Sequence, residues 1–193
     1  SESIILCDAN TDPKKAALDW LIEAEHGPDS AALLVYHCEK LVMQITELAK
    51  EYIEKLPELR QNYIKTNLST HGGAIITDDF NQSIEFVNEY APEHMEVLCD
   101  NPFDILPKIK NAGEILLGEW TPVTLCNFLM GPNAILPTGG FAKTYSSVGV
   151  LDFVKRSSFG YVTKDGFENV RKKAELFANK EGFPAHAMAV RER

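Results

Sequence analysis

The chain has 193 residues, with 28 acidic against 19 basic side chains, a formal net charge of -9 and 45% hydrophobic residues. That length and composition suit one globular domain with a small appendage, and the acidic balance without an extended Lys/Arg tract argues against a nucleic-acid partner. Cys7, Cys38, Cys99 and Cys126 are scattered through apolar segments and form no CxxC pair, which points to buried thiols in a reducing compartment.

The chain runs into a strand-like stretch, Ile4-Ile5-Leu6, almost at once, with no initiator Met, no basic leader and no apolar run long enough to span a membrane. A cytoplasmic protein is expected, and the start suggests a cut end of something longer. Asp12 offers an N-cap and Pro13 suits the first helical position. Ala16, Ala17, Trp20, Leu21 and Ala24 then form an apolar stripe, and Gly27-Pro28 ends the helix. Further strands are predicted at 33–36, 74–77, 95–98 and 115–117. Between them fall helices at 38–56, stopped by Pro57, and at 58–68, and one marked by Phe80, Ile84, Val87 and Ala91. Strand–helix alternation of this kind predicts an open, mostly parallel αβα sandwich.

After Trp120 the chain becomes loop-rich, with a helix start at Thr121-Pro122 and a stop at Gly131-Pro132-Asn133. From about Ser147 the alternation breaks: a segment at 150–154, a turn at Phe159-Gly160, a strand-like Tyr161-Val162-Thr163 and a helix at 166–179. These place a boundary near residue 148, dividing an α/β domain (1–148) from a small helical tail (149–193). The tail is expected to pack on the main sheet or on another subunit.

Glu23 and His26 lie three apart at the end of the first helix and so share a face, where a carboxylate and an imidazole could grip a divalent cation. On this pair alone the plainer reading is favoured, that both are ordinary helix-end residues, with His26 at the negative end of the dipole. Glu93-His94, read as a loop between a helix and a strand, suits general acid–base work, yet an exposed Glu beside a capping His accounts for it as well. Glu181-Gly182-Phe183-Pro184-Ala185-His186 puts another His in a turn, while His37 and His71 join no constellation. Gly139-Gly140 stands outside any GxGxxG or GxxxxGK[ST] pattern, and there is no GxSxG elbow.

Several stretches in order do form a pattern: Ala24-Glu25-His26-Gly27-Pro28-Asp29, Tyr90-Ala91-Pro92-Glu93-His94, Asn111-Ala112-Gly113, Gly131-Pro132-Asn133 and Leu136-Pro137-Thr138-Gly139. With Val150-Leu151-Asp152-Phe153-Val154-Lys155-Arg156 and the segment at 181–186, the chain resembles the histidinol dehydrogenase family over nearly its whole length. The resemblance implies oxidation of an amino alcohol, histidinol, through the aldehyde to histidine in two NAD-dependent steps. It implies zinc held at Glu23, His26, Asn127 and His186, with Glu93 activating water and His94 exchanging protons with the substrate hydroxyl. Substrate contacts would come from Ser1 and Glu181 together with Glu23, His26, His94, Asn127 and His186. The last His ligand arrives from the partner subunit in the family, which implies a homodimer with shared sites.

Four departures qualify this. Glu23 and Asn127 stand where the family usually has Gln and Asp, an exchange that conserves the formal charge of the ligand set but loosens the choice of zinc over another divalent metal. Ala134 stands where a substrate-binding His is usual, which points to weaker histidinol binding or to another hydroxy compound. The chain is about half the family's length and resembles only the portion beyond its NAD-binding domain, so NAD would be bound by residues outside this chain. An incomplete Rossmann-like domain of this kind is expected to expose a sheet edge and an uncovered apolar face. A non-catalytic metal-binding or oligomerisation module is the competing reading.

Overall fold

The computed structural model describes residues 1–193, which divide into two compact units, Ser1–Gly149 and Val150–Arg193. The first is built on five parallel strands, β1 (Glu2–Cys7), β2 (Ala31–Tyr36), β3 (Gly73–Ile76), β4 (His94–Leu98) and β5 (Glu114–Leu117), in the spatial order β3-β2-β1-β4-β5. The connecting helices are α1 (Pro13–Ala24), α2 (Glu39–Ile53), α3 (Glu58–Thr70), α4 (Phe80–Tyr90) and the single turn α5 (Pro102–Ile105). This is an open parallel α/β sandwich.

The three central strands are largely buried on both faces; β2 is apolar throughout, as a parallel strand covered by helices tends to be, while β1 and β4 interleave apolar residues with Ser3, His94 and Glu96. On one face Ile5, Cys7, Leu34, Tyr36 and Leu98 meet Trp20 and Ala24 of α1, Ile45 of α2 and Ile64 of α3. On the other, Ile4, Leu6, Val35, Met95 and Val97 meet Ile84 and Val87 of α4 with Ile105 and Ile109. Both faces are therefore covered, against the expectation of an uncovered one: α4 and α5 close the side opposite α1–α3. Trp20 completes the α1 contact by donating its indole N–H to the Ala32 carbonyl at 3.0 Å.

Some boundaries match the sequence reading, as the Asp12 cap does, and others differ for local reasons. Asp12 caps α1, accepting from the Lys14 amide at 2.8 Å. Ala91 ends α4 in a left-handed conformation (φ 57°) and stays out of the helix. The segment after Trp120 forms a short helix α6 (Val123–Leu125) that widens into a π-helical turn, Cys126–Met130, ended by Gly131 at φ 99°.

In the second unit, Tyr161-Val162-Thr163 forms no strand. Thr163 instead caps α7 (Lys164–Lys180), its hydroxyl accepting from the Gly166 amide. His186 lies in the first turn of a further helix, α8 (Pro184–Arg191), and not in a turn: Gly182 at φ 78° ends the preceding chain reversal and Pro184 begins a new helix. The two helices pair, with Arg191 Nε donating to Glu175 at 2.7 Å.

Candidate active site

The candidate functional side chains Ser1, His26 and His94, with Glu114, gather at the amino-terminal edge of the sheet. Ser1 precedes β1, His26 precedes β2, His94 opens β4 and Glu114 opens β5. Ser3 pairs with His94 across β1–β4, and His94 with Glu114 across β4–β5. Residues opposite one another in a parallel ladder share a face, as do alternate residues along a strand. Leu98, Ile5 and Leu116 therefore place Ser3, His94, Glu96 and Glu114 on the face that α1 covers. A polar vein thus crosses an otherwise apolar surface, and α1 meets it with Asp19 and Glu23, both buried.

Glu23 is fully buried, and neither of its carboxylate oxygens has a hydrogen-bond partner. His26, one helical turn on and about half exposed, brings Nδ1 to 3.2 Å from Glu23 Oε2 and to 3.1 Å from the Ser1 hydroxyl. Asn127 sits in the π-helical turn next to Cys126, which packs with Val123 and Leu116 against Ile22 of α1; its amide oxygen Oδ1 is also buried without a partner. A buried carboxylate left unpaired costs several kcal/mol or more, so orphaned oxygens of this kind need an explanation. No group of three or more His, Cys, Asp or Glu side chains is placed to hold an ion. Glu23, His26 and Asn127 are nevertheless donor types that suit a divalent cation: two carboxylate oxygens and an amide oxygen without hydrogen-bond partners, and an imidazole nitrogen 3.2 Å from Glu23.

Glu93 and His94 form the second cluster. The adjacent backbone is tightly fixed, because Gly113 and Glu114 donate their amides to the carbonyls of Pro92 and Glu93 at 2.9 Å each. A Cβ on Gly113 would stand 2.7 Å from the Glu93 carbonyl, so no larger residue fits there without displacing it. Glu93 accepts the Glu2 amide on Oε2 at 3.0 Å, and its Oε1 is 3.9 Å from His94 Nε2. His94 is buried, with Nδ1 3.0 Å from Glu114 Oε2. It is the first residue of β4, not part of a loop as the sequence suggested, because the Glu114 amide extends the ladder to Glu93.

Sequence reasoning missed four residues here. Glu114 takes a hydrogen bond from the Cys126 thiol on its other oxygen. Burial, with that carboxylate bond and charge, pushes the thiol up to about 12, so it is a neutral donor. Glu96 is fully buried and accepts the Val123 amide at 2.7 Å, tethering the start of α6. Burial, followed by the charge of Asp19, holds its carboxyl well above the usual range. Burial likewise pushes Asp19 up to about 6, against the lowering pull of its hydrogen bond with Glu96 and the charge of Lys15. Such a pair titrates as a unit. The available signal was His94 and Glu96 at alternate positions of a strand buried on both faces, where polar residues need a reason.

Glu181, Ala134 and His186 are exposed. Glu181 is the C-cap residue of α7, and the His186 ring lies 5.2 Å from that of Phe183. Ala134 lies in the loop after the π-helical turn, where Asn133 binds the Val148 carbonyl.

The β1–α1 turn, where a doubly wound domain usually cradles a dinucleotide pyrophosphate, contains no glycine. Asp8 and Asp12 flank it, and Asp12 already occupies the helix N-terminus. That turn does not fit NAD.

Fold and site together define an α/β enzyme domain with buried carboxylate–imidazole chemistry at the amino-terminal edge of its sheet. The family model for histidinol dehydrogenase matches residues 1–193. A histidinol dehydrogenase of Synechocystis sp. is 52% identical over 100% of the chain and 44% of that protein. A "histidinol dehydrogenase homolog" of Colwellia psychrerythraea is 48% identical over 98% of the chain and 43% of that protein. The crystal structure of histidinol dehydrogenase from Elizabethkingia anophelis superposes with a TM-score of 0.92 at 33% identity, covering 98% of this chain and 43% of that one. The chain belongs to the histidinol dehydrogenase family of oxidoreductases, and it spans less than half the length of these relatives.

Proposed function

We propose that this chain supplies the metal and acid–base half of an enzyme that oxidises L-histidinol to L-histidine through the aldehyde. NAD is bound by residues outside the chain. The observation that carries the reading is the Glu23 carboxylate, fully buried with neither oxygen hydrogen-bonded and with His26 Nδ1 3.2 Å from Oε2. Glu23, His26 and Asn127 hold zinc together with the partner subunit's His186, in a cytoplasmic homodimer that shares its sites. When bound, zinc holds the substrate and polarises its donor groups.

The remaining work falls to this chain's own side chains. His94 exchanges a proton with the substrate hydroxyl through Nε2, which Glu114 leaves free by engaging Nδ1. Glu93 acts as base toward water in the second oxidation; the Glu2 amide on Oε2 holds its carboxylate in place, and Oε1 remains available. Ser1 orients His26 and, with Glu181, contacts the substrate.

Turnover tests this. A full-length protein containing the chain should reduce NAD with L-histidinol, and chelation should abolish the activity. Ala134 supports a second reading, oxidation of a different amino alcohol or hydroxy compound, since it offers neither a donor nor an acceptor side chain in the loop after Gly131. Reduction of NAD with other alcohols but not with histidinol would establish that reading and remove the first.

A further inference from the structure

An imidazole that carries protons in a single direction has to keep one ring nitrogen committed, because in the neutral ring the partner of one nitrogen decides the role of the other. Glu114 is placed to make that commitment. It lies directly opposite His94 in the β4–β5 ladder, and its side chain is 8% exposed against 4% for His94. Its Oε2 stands 3.0 Å from His94 Nδ1, while its amide donates to the Glu93 carbonyl at 2.9 Å. One residue therefore grips both members of the acid–base pair, Glu93 through the main chain and His94 through the side chain. Its second oxygen, Oε1, accepts from the thiol of Cys126, which is 2% exposed and immediately precedes Asn127.

We propose that Glu114 is a positioning residue that holds His94 in its Nδ1–H tautomer, with the Cys126 thiol fixing the orientation of the Glu114 carboxylate. The lone pair of His94 Nε2 is then left on the side of Glu93, 3.9 Å from Oε1, where a substrate proton is taken up. The same chain of contacts joins the segment bearing Asn127 to the proton carrier, so that disturbance of the π-helical turn reaches His94 through two side chains. The role rests on the reading of His94 as the proton carrier, while the tautomer itself can be observed without turnover.

The test uses the full-length, zinc-loaded protein. Imidazole 15N–1H spectra of the neutral His94 ring, assigned with His94→Asn, should show the Nδ1–H tautomer, and Glu114→Ala should convert it to Nε2–H. In kinetics, Glu114→Gln should lower kcat ~10–100-fold, the range typical of removing an outer partner of a functional His, with KM within about twofold and zinc content unchanged. Cys126→Ser, which keeps a donor, should stay within about threefold of the parent kcat, whereas Cys126→Ala should fall between the parent and Glu114→Gln. A parental Nε2–H tautomer would overturn the proposal, as would a Glu114→Gln enzyme with full kcat. So would a loss that appears equally in KM and zinc content, which marks a merely structural role. A protein that oxidises no alcohol and yet shows the Glu114-dependent Nδ1–H tautomer defeats the proposed function and supports the positioning role.

Discussion

The two units bury their side chains very differently. Every residue of β2 and β4 is buried, and α1 buries two carboxylates along with its apolar stripe. Helix α7 is longer than any helix of the first unit and buries nothing, leaving Phe177 at 71% and Leu176 at 61% exposure. The same holds for the approach to it, where Phe153, Phe159 and Tyr161 are more than 80% exposed. A monomeric surface rarely carries so many large apolar side chains in sequence. The lesson is that the first unit buries polar chemistry within its core, where Glu23 and Asn127 keep oxygens without a hydrogen-bond partner. The second has a finished local structure and an unfinished surface.

Four predictions press on that difference. The largest effect should fall within the sheet unit: His94→Asn should lower kcat ~10²–10⁴-fold with little change in melting temperature, measured by NAD reduction and by calorimetry. A comparable loss on altering an exposed residue of α7 away from its ends would place the chemistry elsewhere. Next, Phe177→Asp should leave the far-UV spectrum intact and shift the sedimentation profile from dimer toward monomer, because a charge on an apolar face costs about 2–4 kcal/mol only where that face is covered. An unchanged dimer would mean that α7 faces water.

The third concerns pH. The carboxyls of Asp19 and Glu96 are held up by burial, Asp19 to about 6, whereas both ionise near pH 4 in an unfolded chain. The folded state therefore holds more protons through that window, and metal-free protein should lose stability as pH rises from about 4 to above 6, by roughly 1–3 kcal/mol. Urea denaturation at pH 5 and 7.5 measures the slope, and Asp19→Asn should flatten it. The smallest effect is at Ala91, whose left-handed backbone costs about 1 kcal/mol for a residue with a Cβ. Ala91→Gly should raise stability by up to about 1 kcal/mol, less the entropy glycine gives the unfolded chain, with activity unchanged.

The alternation of strands and helices was legible because the helices carry an apolar stripe at helical spacing and the strands are short apolar runs between them. The Glu23–His26 pair was legible because i and i+3 share a helical face. What sequence hid was chemistry in unusual surroundings. Asp19, Glu96 and Glu114 are charged types that ordinarily face water, and only the register of β4 with β5 and the packing of α1 over that face reveal that they line one vein. Tyr161-Val162-Thr163 misled in the opposite sense: its residues favour strands, but that preference expresses packing against neighbouring strands, which this segment lacks. Helix α8 went unread because Gly182 and Pro184 look like a turn, when Pro184 is a first helical residue.

Zinc titration by calorimetry, on full-length protein stripped of metal, tests the central claim most directly. The account predicts one tight site per chain, weakened at least about tenfold by His26→Ala and equally by His186→Ala, and partly restored when the two variants are mixed so that one intact site forms across a mixed dimer. Tight binding that neither substitution alters, or no tight binding at all, would contradict it.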